Sequence, residues 1–69
     1  MDNVFGKRLK EIREERGISQ IKLASAIGVS KAIVSLWENG LREPTLSNLV
    51  LLADFFGQSI DYLAGRTEY

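Results

Sequence analysis

Apolar residues return along this chain at helical intervals, and no stretch alternates apolar with polar as a half-buried strand would, so an all-α fold is expected. Phe5, Leu9 and Ile12 fall at i, i+4 and i+7 and predict a first helix from about Asn3 to Arg16, closed by Gly17. Its other face is charged, through Lys7, Arg8, Lys10, Glu11, Glu14 and Glu15. Ser19 is placed to cap a short second helix with Leu23, Ala24 and Ile27 on one stripe and Gly28 at its end. Ser30 opens a third, over about 30–39, whose Val34 and Trp37 share a face until Asn39-Gly40 stops it. Pro44 forces Glu43 to be extended, and Thr45 then caps a fourth helix whose expected buried stripe is Leu46, Leu49, Val50, Ala53 and Phe56. Gly57 ends it. Ser59 starts a last short helix in which Ile60 and Leu63 are expected to point inward, before Gly65 and a polar tail.

These five segments make a single domain over residues 1–69, with its core in 3–65 and no repeat, linker or low-complexity segment. Residues 19–40 hold two short helices joined by a tight turn containing Gly28, which is the arrangement of a helix-turn-helix. Such a unit projects its second helix far enough to reach base edges in a major groove. With Val34 and Trp37 turned inward, a rotation of about 100° per residue puts Ala32 and Leu36 opposite, flanked by Ile33 and Ser35. Together with Lys31, these residues form a candidate reading surface.

Charge sharpens the picture only when it is mapped along the chain. Nine basic and nine acidic residues give a formal net charge of zero, whereas phosphate binders usually carry a basic balance. Between Arg16 and Arg42, however, Arg16, Lys22, Lys31 and Arg42 face a single acid, Glu38, while beyond Pro44 the acids Asp54, Asp61 and Glu68 outweigh Arg66. The chain contains no Cys and no His, which excludes disulfides, Cys/His metal sites and Cys or His catalysis. No metal, cofactor or small-molecule ligand is expected. No basic-then-apolar leader opens the chain and no apolar run approaches the roughly 20 residues of a membrane span, so a soluble, cytoplasmic protein without membrane contact is expected. A chain of 69 residues buries only about 60% of its unfolded surface, so dimerisation would help its stability.

The residues resemble the phage-repressor and Cro-like (XRE-type) transcription regulators over nearly the whole chain. The likeness rests on Arg13, on Gly17-Ile18-Ser19-Gln20, on Leu23-Ala24 and on Gly28-Val29-Ser30. It continues through Ser35-Leu36-Trp37-Glu38-Asn39-Gly40, Arg42-Glu43-Pro44-Thr45, Leu52-Ala53-Asp54-Phe55-Phe56-Gly57 and Ser59-Ile60-Asp61-Tyr62-Leu63. The resemblance implies a five-helix, lambda-repressor-like DNA-binding domain. It implies base contacts from Lys31, Ala32, Ile33, Ser35 and Leu36, and phosphate contacts from Gln20, Ser30, Asn39 and Arg42. It further implies a structural ion pair of Arg13 with Glu38, and a homodimer interface near Leu41, Ile60 and Tyr62. The implied function is sequence-specific binding of double-stranded DNA at a roughly palindromic operator, as a transcriptional regulator and most simply a repressor. No enzymatic activity is expected, since no pair of acids lies at a spacing that would share a pocket.

At one point the sequence departs from this family. Its base-contact positions are usually polar, whereas Ala32, Ile33 and Leu36 neither donate nor accept a hydrogen bond. Such side chains contact a thymine methyl, leaving further discrimination to DNA shape or to Lys31 and Ser35. Ile21 is also apolar, so Ile21, Ile33 and Leu36 are expected to form an exposed patch, which is a mark of protein partners. The second reading is therefore a protein-interaction module, antitoxin-like or partner-recruiting, with weak or lost DNA binding.

Overall fold

The computed structural model describes residues 3–68, which fold into five helices with no strand among them. In order these are α1 (Val4–Glu15), α2 (Gln20–Ile27), α3 (Lys31–Glu38), α4 (Leu46–Phe56) and α5 (Ile60–Ala64). Four of the five starts use the same local chemistry. A hydroxyl accepts a backbone N–H three residues on, at Ser19 from Lys22, Ser30 from Ile33, Thr45 from Asn48 and Ser59 from Tyr62, over 3.0–3.2 Å. Each such bond satisfies a donor that the first helical turn leaves open and is worth about 1 kcal/mol.

The helices enclose one core in which Leu9, Leu23, Val34, Trp37, Leu52, Phe56 and Leu63 are fully buried. Trp37 is its largest member and meets Phe5 edge-on, with ring centroids 6.2 Å apart. That contact depends on a residue without a side chain. A Cβ on Gly6 would lie 2.4 Å from the Trp37 carbonyl oxygen and 2.9 Å from that of Glu38, so α1 reaches the end of α3 only because position 6 is glycine.

Three expectations about burial are corrected. In α4 the buried face is Leu52, Ala53 and Phe56 with Leu49 packed against them, while Leu46 and Val50 are exposed. Apolar residues occupy nearly every position from Leu49 to Leu52, so periodicity alone does not phase this helix. Ile60 is likewise exposed, and Leu63 alone of the two enters the core. The charged face of α1 is also not uniformly solvated. Arg8 lies over the Tyr62 ring at 4.3 Å and donates to the carbonyl oxygens of Tyr62 and Thr67, the latter at 2.6 Å. Arg16 donates to the Phe56 carbonyl at 2.8 Å. Arg8 of α1 and Arg16, just past its end, thus hold carbonyls at the C-terminal ends of α4 and α5, where a cation also complements the helix dipole. No described helix is long and apolar enough to cross a membrane.

Candidate nucleic-acid interface

Three residues, Gly28, Val29 and Ser30, join α2 to α3. Gly28 takes a left-handed conformation at φ 78°, which lets the chain leave α2 sharply while Val29 N–H still bonds the Ala24 carbonyl at 3.0 Å. The two helices pack against each other more extensively than any other pair, and the turn sets the direction of α3. The inner side of α3 carries Val34, Trp37 and Glu38, all buried. On its outer side Lys31, Ala32 and Asn39 are exposed, with Ser35 and Leu36 half-buried. Ile33 lies on the flank, half-buried and packed against the core, so it is not part of the outermost ridge. The patch expected from Ile21, Ile33 and Leu36 is therefore reduced; Ile21, 65% exposed on α2, is its most open member.

A buried charge fixes this ridge to the body. The Glu38 side chain is 2% exposed and accepts from Arg13 Nε at 2.7 Å and Arg13 Nη2 at 3.0 Å, a two-pronged pairing of planar groups. Its Oε1 also accepts from Gln20 Nε2 at 3.0 Å, and Arg13 Nη1 donates to the Ile18 carbonyl at 2.8 Å. Hydrogen bonding to Glu38 raises the Arg13 pKa, against an opposing effect of burial and with help from the Glu38 and Glu14 charges. Sign follows directly: a raised cationic pKa stabilises the fold at all ordinary pH and is lost only in strong alkali. One carboxylate thus ties together α1, the first residue of α2 and the last residue of α3. Asn3 adds a bond from Nδ2 to the Glu38 backbone oxygen at 3.2 Å. Among the described residues no buried side-chain nitrogen or oxygen lacks a partner.

The pairing has an electrostatic consequence. Glu38, the one acid between Arg16 and Arg42, is neutralised inside the molecule, so that stretch presents Lys22, Lys31 and Arg42 to solvent with no exposed acid among them. Lys31 and Arg42 make no ion pair among the described residues. Gln20 points one amide N–H at Glu38, and the remaining amide donor and oxygen are left for other partners. Ser30 uses its oxygen as the α3 cap. Asn39 turns its side chain back along α3, donating from Nδ2 to the Ser35 carbonyl at 2.9 Å and to Ser35 Oγ at 3.3 Å.

Residues assigned to self-association lie elsewhere. Leu41, in the connection after α3, is 75% exposed, Ile60 is exposed at the start of α5, and Tyr62 is half-buried under Arg8. Further apolar residues are exposed on α4, namely Leu46, Val50, Leu51 and Phe55, of which periodicity assigns Leu46 and Val50 to the core. The contacts that Asn3, Gly6, Arg8 and Arg16 make to other helices are not foreseen from the sequence. A glycine within an otherwise apolar-periodic helix is the one signal in the sequence for that of Gly6, since it costs helix stability and so implies close packing.

A family model described as helix-turn-helix matches residues 9–63. The chain is 37% identical over 64 residues to the SPbeta prophage-derived uncharacterized HTH-type transcriptional regulator YonR of Bacillus subtilis (strain 168). That match covers 93% of this chain and 59% of the relative, so the chain spans little more than half of it. Among solved structures it is similar to the P22 c2 repressor protein in complex with synthetic operator 9T, with TM-score 0.88 and 33% identity over 93% of this chain and 97% of that one. It is also similar to the restriction-modification controller protein C.AhdI from Aeromonas hydrophila, with TM-score 0.81 and 36% identity over 90% and 96% of the two chains.

Proposed function

The chain belongs to the helix-turn-helix family whose model spans residues 9–63, and from that premise we propose that it is a DNA-binding transcriptional regulator acting in the cytoplasm. In this reading α3 enters the major groove of double-stranded DNA. Lys31, Ala32, Ser35 and Leu36 meet base edges, with Ile33 at the margin. Gln20, Ser30 and Arg42 grip the sugar-phosphate backbone on either side. Open backbone N–H groups at the start of α2 favour an anion there. The observation that carries the reading is the α3 ridge itself: its outer side faces solvent at Lys31 and Ala32, it is held from behind by a three-way buried polar tie, and it is bordered by Lys31 and Arg42, which make no ion pair among the described residues.

Two copies act together in this proposal. The domain's longest dimension is 27 Å. One turn of duplex is about 34 Å, so one copy does not reach two successive major grooves on the same face, and a homodimer does. Leu41, Ile60 and Tyr62 supply its contact. Bound at a near-palindromic operator, such a dimer occludes RNA polymerase, which is repression.

Fluorescence anisotropy with a labelled duplex of about 20 base pairs, at about 50 mM and about 200 mM salt, tests this. With Lys22, Lys31 and Arg42 from each copy near phosphates, affinity is expected to fall about a thousandfold between the two conditions. A domain that only recruits another protein through Ile21 and its neighbours would show little duplex binding at either salt concentration.

A further inference from the structure

We infer that the cavity behind the connection from α3 to α4 binds a small zwitterion with an apolar body, the chemistry of a free apolar amino acid, and that this ligand competes with DNA for Arg42. The competition rests on the proposal that Arg42 grips phosphate; the binding site itself does not.

The cavity has a volume of about 340 Å³, at the small end of the range for small-molecule sites. Phe5 and Trp37, 9% and 1% exposed, belong to the core and also line it. Pro44 of the connection, Leu49 of α4 and Ala64 of α5 complete an apolar wall that takes up the hydrocarbon part of a ligand. These residues come from five separate places in the chain, so no local motif announces the site.

Three polar groups of the lining are unengaged. Arg42 and Glu43, one cation and one anion, both border the cavity, and neither side chain makes an ion pair or hydrogen bond among the described residues. The Trp37 indole N–H has no partner there either, although a buried indole N–H usually finds one. Among the described residues no fully buried side-chain nitrogen lacks a partner, so this N–H belongs to the 1% of Trp37 that stays open, and Trp37 lines the cavity. A carboxylate accepts from the indole and from Arg42, and an ammonium group beside it meets Glu43. A simple acid satisfies the first two and is repelled by Glu43; a zwitterion satisfies all three. A carboxylate on Arg42 also takes the place of a phosphate, so ligand and duplex weaken each other's binding by linkage.

The chain has a single tryptophan, so Trp37 emission reports the cavity. Titration of the natural chain with leucine or phenylalanine should change that emission saturably. Isocaproate and isoamylamine, which are leucine without its ammonium and without its carboxylate, should each bind about tenfold more weakly than leucine. Ala64→Leu, which narrows the cavity from an exposed position, should abolish the change, and Arg42→Ala should remove most of the advantage of leucine over isoamylamine. Circular dichroism on heating should show both variants melting with the natural chain. No saturation with either amino acid by about 10 mM, or equal binding of leucine and isocaproate, would overturn the inference. So would emission that changes with protein concentration and not with amino acid, which gives the cavity to a second copy. In anisotropy, saturating leucine should weaken duplex binding by the natural chain about tenfold and leave Arg42→Ala unaffected. If emission saturates and duplex affinity does not respond, the competition falls and the site stands. If no duplex is bound even without amino acid, the DNA reading falls, and the emission titration still decides the site.

Discussion

Two surfaces of this domain leave apolar side chains in water, and they are built from opposite materials. On α3, Ala32 and Leu36 lie in a stretch, Arg16 to Arg42, whose one acid is buried against Arg13, so the exposed charge is positive. On α4, Leu46, Val50, Leu51 and Phe55 are exposed within a stretch from Glu43 to Gly65 that has the acids Glu43, Asp54 and Asp61 and no basic residue. In charge, the first surface suits a polyanion such as a duplex and the second does not. The second has the composition of a protein contact. A net charge of zero conceals this division, because the positive half and the negative half cancel.

The first surface is anchored by a buried ion pair and the exposed side chains of the second are not, and variants of each should separate them. The largest effect is expected from Arg13→Ala, which leaves the Glu38 carboxylate buried without its cation; a loss of about 3 kcal/mol should lower the melting temperature by about 15 °C or prevent folding. Circular dichroism on heating measures it. Gly6→Ala should cost about 2 kcal/mol by the same measurement, because its Cβ would meet two backbone carbonyls that no side-chain rotation can move. Equal loss from a serine at the exposed Leu51 would erase the distinction between the two surfaces.

Much of this contrast was legible in the sequence, and the parts that were not share a cause. Helix starts followed from Ser19, Ser30, Thr45 and Ser59, since a cap acts over three residues and needs no knowledge of the fold. The inner side of α3 followed from Val34 and Trp37, three residues apart, whereas Ile33, expected on the outer surface, packs against the core. The face of α4 did not follow, because apolar residues at Leu46, Leu49, Val50, Leu51 and Leu52 fit several stripes equally well. The work of Arg8 and Arg16 was hidden for a different reason. Their carbonyl partners lie 54 and 40 residues away, and a local pattern gives no sign of them. Asn39 was assigned to phosphate by resemblance, and its bonds to Ser35 emerge only from side-chain geometry.

Smaller effects sharpen the comparison further. Arg42→Ala should weaken binding to duplexes of every sequence and make the logarithmic salt dependence shallower by about 1 for each copy, whereas Leu51→Ser should leave both unchanged. Anisotropy titrations at several salt concentrations read both. Leu41→Ser, at a side chain that is 75% exposed, should alter the stability of the folded monomer by no more than about 0.5 kcal/mol. Its effect belongs in sedimentation equilibrium, where the population should shift toward monomer.

The most direct measurement is a heteronuclear NMR titration of the labelled protein with duplex DNA, following each backbone amide. The expected result is that the amides at the start of α2 and along Lys31, Ala32, Ser35 and Leu36 shift with the duplex added, while those of Leu46, Leu51 and Phe55 do not follow it. Shifts centred on α4 and α5, or none on α3, would contradict the assignment of the α3 ridge to DNA.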